Sequence, residues 1–357
     1  MKKRNQLTKA QVKNNPILKQ LIEDIFNPAT NTDYVKPWSA KGFKMIGQSN
    51  PVTKTTYRGG NAIITGYVSA VRGYKSLLWI THLNMVDVFC KDMFGKSARQ
   101  LYDAGRKADV MTAQKKTYPL IKGEKFTSVL FFQKSKYNPK DTEGKPIVGD
   151  DGEPEYRTSC LWEYHNVMNL DQLKGKDPVF DAQIEKWEGK NKVDVTPDVP
   201  LSDAEKALIE CMNLGGGVTY SDVDRACYSP KLDAINMPSK KSFVSPEHAF
   251  STLGHEIGHS TGNPSRLNRK MTGTFGGSAY AFEELIADGT SALLDARFGV
   301  NTKEVSLNHV SYMKSWYKGL KDDPTKLLSA MNKAYDAYEF IMEQYESYTN
   351  PQQEEVA

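Results

Sequence analysis

Two histidines bracketing a glutamate at helical spacing, His255-Glu256-Ile257-Gly258-His259, constrain this 357-residue chain more than any other feature. In an α-helix, residues i and i+4 lie on one face about one turn apart, so both imidazoles reach one metal ion. Zinc suits such a nitrogen pair, with Glu256 on the side where a metal-bound water would sit. The flanks fit a helix: Ser245 as its cap, Pro246 in its first turn and Gly262 at its close. Gly258 inside the helix costs about 1 kcal/mol relative to alanine, which points to close packing there.

A zinc site that performs chemistry needs a third protein ligand and a position open to water. The extended pattern HExxHxxGxxH is met at Gly262 but has Ser265 where a third histidine would stand. The third ligand is therefore sought in SAYAFEELIAD, residues 278–288, the start of a second helix expected to be capped by Ser278 and stopped near Gly299. Glu284 and Asp288 are four apart there. A glutamate can then bind metal while the later carboxylate orients a ligand histidine. Glu283, on a neighbouring face, is the competing choice. A solvated acidic face paired with Arg266 or Arg269 is the bland alternative. If the site assembles, zinc lowers the pKa of its water toward ~7, and Glu256 takes the proton and returns it to a leaving amine. Tyr280 and His248 are the residues that could steady an oxyanion.

The formal charge of +4 conceals a division. Residues 1–170 carry 27 Lys+Arg and 15 Asp+Glu, or +12, and the remainder carries 20 and 28, or −8. Residues 1–140 alone have 25 basic and 8 acidic side chains, or +17, a charge suited to a polyanion. Aromatics are interleaved with these cations: Trp38, Tyr57, Trp79 and Tyr118 among Lys54, Arg58, Lys116 and Lys122. Bases stack on such rings and phosphates pair with such cations, as in single-strand binders, and no helix-turn-helix or zinc-finger signature competes. Trp79, Phe131, Phe132 and Trp162 also suit a core. No apolar stretch approaches the ~18 residues of a membrane span, so no membrane partner is expected. Residues 1–15 are basic but lack the apolar run of a secretory signal. Cys90, Cys160, Cys211 and Cys227 form no CxxC pair, which argues against a disulfide scaffold and fits a reducing cytoplasm.

The expected fold class is α+β: a mixed α/β N-terminal domain over residues 1–170, a polar linker over 171–200, a mainly helical domain over 201–345 and a disordered tail over 346–357. Expected elements are a helix over 8–30, a β-like run Ala62–Val68, a helix Thr81–Phe94 and a polar, basic helical segment over 95–118. Lys125–Gln133 and Tyr156–Tyr164 read as strands flanking an exposed hairpin loop. A helix capped by Ser202 through Leu214 and a short strand Tyr228–Pro238 follow.

Together these residues resemble the ArdC-type antirestriction proteins of plasmids and phages. The resemblance rests on Pro37-Trp38, Tyr57-Arg-Gly-Gly-Asn-Ala62, Trp79-Ile-Thr81 with Asn84, and Lys122-Gly-Glu-Lys125. In the C-terminal half it rests on Tyr228-Ser-Pro with Asp233 and Pro238, HEIGHSTG, Arg266-Leu267 and YAFEELIAD. It implies a single-stranded-DNA-binding domain joined to a zincin-like metallopeptidase domain, in proteins associated with protecting incoming DNA from restriction. Carried over, His255, His259 and Glu284 would hold one zinc ion per chain and Glu256 would be the general base. Asp288 and Glu283 would stand behind the ligands. Trp38, Lys54, Tyr57, Arg58, Asn61 and Trp79 would face DNA. Residues 95–118 lengthen the helical region relative to the family, and Asn84 replaces a usual glutamine. The expected function is a single-stranded-DNA-binding antirestriction protein that hydrolyses a peptide bond, with a host restriction or DNA-processing protein as the expected partner. A protection factor with a structural or vestigial zinc site is the alternative.

Overall fold

A long antiparallel hairpin organises the N-terminal half of the computed structural model, which describes residues 6–7, 46–139, 145–148, 153, 156–190, 199–271, 277–300, 314–320 and 323–350. In chain order, β1 is Gln6–Leu7, β2 Ser49–Asn50, β3 Thr55–Thr56, α1 Gly59–Arg72 and β4 Trp79–Thr81. Three helices follow, α2 His82–Phe94, α3 Ala98–Asp103 and α4 Lys107–Ile121, and then the hairpin strands β5 Thr127–Tyr137 and β6 Arg157–Asn169. β6 pairs with β5 along its whole length, from Thr127 opposite Val167 to Tyr137 opposite Arg157. Its other edge takes β4 and β1, both antiparallel. The helix predicted over 8–30 and Trp38 lie outside the described residues.

Three expectations are corrected in this half. The run Ala62–Val68 is part of the helix α1, not a strand. Its β-branched Ile63, Ile64 and Thr65 favour strands locally, but Ala62, Ile64, Thr65 and Ser69 are buried between the sheet and the C-terminal half, and tertiary packing overrides propensity. Residues 171–190 are not linker. Helix α5, Pro178–Lys190, buries Phe180, Ile184 and Trp187 with Phe89, Leu101 and Leu170 in the N-terminal core. Phe131 is exposed rather than core. Asn84 has a local role: with Thr81 it forms a capping box at the start of α2, and its Oδ1 accepts from Asn50 Nδ2 at 3.0 Å.

The C-terminal half comprises α6 Leu201–Met212, β7 Gly217–Ser221, β8 Cys227–Ser229, β9 Ala234–Pro238, α7 Pro246–Ser260, α8 Ser278–Arg297 and α9 Pro324–Thr349. Pro200, not Ser202, stands at the cap of α6, and Asn213 in a left-handed conformation ends it. The single strand expected over Tyr228–Pro238 is two, because Asp233 at φ +48 turns the chain between β8 and β9. The sheet order is β7-β9-β8, with β7 parallel to β9 and β8 antiparallel to it on the edge. Helix α9 runs to Thr349, so residues 346–349 are helical rather than tail. It packs on α8 and α1, and a single hydrophobic cluster takes in Ala62 and Leu130 from the first half with Leu285, Leu328 and Tyr335 from the second. No described helix is long and apolar enough to cross a membrane.

Candidate metal centre

Glycines let the helices α7 and α8 approach closely. A Cβ on Gly258 would lie 3.1 Å from Ala287 Cα, and one on Gly254 would lie 3.3 Å from Ser291 Oγ. The close packing expected from Gly258 is therefore present, and it sets the histidines of α7 against the carboxylates of α8. Thr261, rather than Gly262, caps the end of α7; Gly262 lies against Met271 Sδ. Gly277, rather than Ser278, stands at the start of α8.

His255 Nε2 and His259 Nε2 are 3.1 Å apart. Glu284 closes a triangle on them, Oε2 at 3.4 Å from His255 Nε2 and Oε1 at 3.6 Å from His259 Nε2. Ligands at ~2.0–2.1 Å from a tetrahedral ion are about 3.3 Å from one another, so these side chains have the spacing of three corners of a zinc site. Each imidazole has a carboxylate behind it. His255 Nδ1 is 3.0 Å from Asp288 Oδ1, and His259 Nδ1 is 3.5 Å from Glu283 Oε1. Asp288 is buried, and its Oδ2 has no hydrogen-bond partner among the described residues, so one buried acceptor of this carboxylate is unsatisfied. Burial alone would lower the pKa of His255, but Asp288 and Glu284 raise it well above the ordinary value. Burial works against ionisation of Glu284 too, yet the two imidazoles hold its carboxyl below the usual range.

Glu283 is committed elsewhere. Arg269, itself buried, donates to Glu283 through Nη2 at 2.6 Å and Nε at 3.2 Å, and to the Gly258 carbonyl at 2.9 Å. The pairing with Arg269 that the sequence left open is therefore real for Glu283, while Glu284 turns toward the histidines. Glu256, buried, shares a cleft of about 790 Å³ with His255, His259, Glu284 and Tyr280. Tyr280 bonds Glu284, one helical turn ahead of it, and burial followed by that bond pushes its phenol above the ordinary range. His248 lies away from this cleft, with Nδ1 3.0 Å from Ser245 Oγ. Arg225 and Cys227, on and beside the edge strand β8, line the cleft and were not singled out from the sequence.

One wall of the cleft is held by a network that joins two distant sequence motifs. Arg266 grips Asp233 through Nη1 at 2.8 Å and Nη2 at 2.9 Å, while the Tyr228 hydroxyl donates to Asp233 at 2.8 Å and Asn263 donates to that hydroxyl at 3.0 Å. Arg266 Nη1 also bonds the Ser260 carbonyl at the end of α7. Arg266 holds the Asp233 carboxyl far below the usual carboxylate range. A depressed carboxyl pKa contributes stability above its unfolded value near ~4 that is lost as pH falls through the folded one. Arg266→Ala is accordingly expected to cost about 2 kcal/mol at pH 7. Asp233→Asn is expected to lessen the loss of stability below pH ~4. Denaturant titrations at the two pH values check both, and superimposable curves would remove the pair from this role.

The residues expected to face DNA are dispersed. Trp38 lies outside the described residues. Trp79 is fully buried, its Nε1 donating to Gln48, and Tyr57 is buried with it beside Val129 and Val167, its phenol raised to about 12 by burial. Neither ring can stack on a base where it stands. Asn61 spends its amide on one backbone unit of β5, donating to the Leu130 carbonyl at 2.6 Å and accepting from the Leu130 N–H at 2.8 Å. Arg58 is exposed but reaches Asp336, at 2.9 Å, and Glu339 on α9. Lys54 is exposed in the turn between β2 and β3. The run Tyr57-Arg-Gly-Gly-Asn-Ala62 thus joins the two halves: a Cβ on Gly59 would lie 2.8 Å from Asn332 Cα, and one on Gly60 would strike Leu328.

Comparison with known proteins agrees with this two-part arrangement. The N-terminal domain of anti-restriction factor ArdC matches residues 14–167, and the zincin-like metallopeptidase family MPTase-PolyVal matches residues 208–333. Two Escherichia coli proteins named DNA primase TraC are each 27% identical over 91% of the chain, which spans only 26% and 19% of their lengths. The protein y4eC of Sinorhizobium fredii (strain NBRC 101917 / NGR234) is 25% identical over 85% of the chain and 83% of its own length. The metal-free crystal structure of antirestriction protein ArdC from plasmid R388 superposes with a TM-score of 0.54 at 23% identity, covering 92% of this chain and 98% of that one. Its Mn(II)-bound form gives 0.52 with the same coverage. The chain thus carries an ArdC-type N-terminal domain followed by a zincin-like metallopeptidase domain, on the fold of ArdC.

Proposed function

We propose that this protein binds single-stranded DNA through its N-terminal half and hydrolyses a peptide bond at the centre built on α7 and α8, in the service of antirestriction. The observation that carries the catalytic part is the triangle of donors His255 Nε2, His259 Nε2 and Glu284, with edges of 3.1–3.6 Å, at one cleft with Glu256. These three side chains would hold one divalent cation, and two nitrogens with one carboxylate oxygen suit zinc. Bound there, the cation supplies Lewis acidity toward a carbonyl and makes a water acidic enough to ionise near neutral pH. Asp288 and Glu283 fix the orientation of the imidazoles through Nδ1. Glu256 accepts the proton of the attacking water and returns it to the leaving amine. Tyr280 stands at the same cleft, and its hydroxyl would reach a developing oxyanion only on leaving the Glu284 carboxylate to which it donates. The protein partner is a restriction or DNA-processing protein met in the cytoplasm that receives the DNA.

Glu256→Gln tests this reading because it removes the base and leaves the three donors. Zinc content is expected to stay at about one ion per chain while cleavage of quenched peptide pools falls by about 10²–10⁴-fold. Equal turnover by the variant would sink the assignment of Glu256. The same substitution in cells separates the two antirestriction readings. If protection of incoming DNA survives it, hydrolysis is not the protective step.

A further inference from the structure

Helix α4 leaves one face unused. It buries Val110, Ala113, Thr117 and Leu120, packing on α2 and α3. On the opposite side, Lys107, Met111, Lys115, Tyr118 and Lys122 recur at spacings of four, four, three and four residues, and every one is exposed. At ~100° and ~1.5 Å per residue they fall within about 80° of arc and form a stripe about 22 Å long. Tyr118 is 64% exposed and Met111 51%. Three neighbouring cations are taken: Lys91 by Asp87, Arg99 by Asp103, and Arg106 by Asp109, the carboxylate of α4. Lys107, Lys115 and Lys122 have no ion pair among the described residues.

We propose that this stripe is a contact surface for single-stranded DNA, with phosphates at Lys107, Lys115 and Lys122 and a base stacked on Tyr118. The assignment rests on the reading of the N-terminal half as a single-strand binder and says where that binding occurs. The charge of the stripe is wholly positive, in a half of the chain whose first 140 residues carry +17. A tyrosine between the lysines offers a flat face to an unstacked base, which duplex DNA does not present. Tyr57 and Trp79 are buried and offer no such face.

Fluorescence anisotropy of the full-length protein with a labelled oligo-dT of about 20 nucleotides, over a range of salt, tests the assignment. In the Lys115→Gln/Lys122→Gln double variant, affinity is expected to fall and the log–log salt slope to flatten by about 1.4, because each single-strand phosphate contact contributes roughly 0.7. Tyr118→Ala is expected to weaken binding at least about fivefold and Tyr118→Phe to restore it, since stacking needs the ring and not the hydroxyl. Unchanged affinity and slope in these variants, beside a wild type that binds, would overturn the stripe and leave the broader reading standing. A wild type that binds no oligonucleotide at low salt would overturn both. Competition by polyglutamate as effective as by unlabelled oligo-dT would assign the stripe to an acidic protein and overturn the DNA contact. Photocrosslinking with 5-iodouracil in the oligonucleotide gives a second readout. Adducts on the peptide containing Tyr118 support the proposal, and adducts confined to other segments refute it.

Discussion

Replacing Glu284 by alanine is expected to take zinc from about one ion per chain to near zero, whereas replacing Glu283 by glutamine is expected to leave it near one. The two residues are adjacent on α8 and equally buried, but they face different partners. Glu284 oxygens lie 3.4 and 3.6 Å from the two histidine Nε2 atoms, while Glu283 is bound twice by Arg269. Two imidazoles without a third ligand hold a cation far less tightly. Glutamine is the informative replacement at Glu283. Alanine would strand the buried Arg269 guanidinium at a cost of about 3–5 kcal/mol and confuse unfolding with metal loss. Asp288→Asn belongs between the two, with affinity lowered about 10–100-fold because His255 loses its orienting carboxylate. Metal analysis of dialysed protein and a competitive zinc titration read all three. Equal zinc in the two glutamate variants would mean that the third ligand is not Glu284.

The second large effect is expected at Gly59→Val, with a loss of about 3–5 kcal/mol in chemical denaturation. Gly59 has φ +51, a region that a β-branched residue rarely enters, and its Cβ would stand 2.8 Å from the Asn332 Cα on α9. The obstacle is backbone, so no rotamer change relieves it. Gly73→Ala separates the two causes, because Gly73 has φ +69 but nothing within 4 Å of the added carbon. That variant is expected to lose only about 1 kcal/mol. If Gly59→Val unfolds at the wild-type midpoint, the halves of the chain do not depend on this contact.

These expectations show which parts of the site could be read early. The histidine pair needs only the helical period, so His255, Glu256 and His259 were legible at once. Gly258 announced the approach of a second helix, because a glycine that weakens a helix requires a packing reason. Glu284 and Asp288 were legible as a pair four residues apart, but nothing local distinguishes Glu284 from Glu283. The difference lies with Arg269, 14 residues away in sequence, whose guanidinium claims one carboxylate and leaves the other. Arg266 and Asp233 show the same limit: each stood in a recognisable motif, but their bidentate contact spans 33 residues.

In the N-terminal half, composition was a better guide than individual residues. The surplus of lysine, arginine and aromatic side chains is a property of the sequence, and no fold can alter it. Which of those rings remain at the surface is a property of packing. Trp79 and Tyr57 were drawn inside by the sheet, Asn61 was spent on Leu130, and Tyr118 was left outside on α4. Residue types and their spacing set the chemistry available to this protein: a helix with two histidines one turn apart, a carboxylate pair one turn apart and a basic half. The tertiary structure decided which carboxylate faces the histidines and which aromatic rings are free to touch a ligand. The physical reason is that periodicity fixes relations within one helix, whereas burial and ion pairing are settled between segments that meet only when the chain has folded.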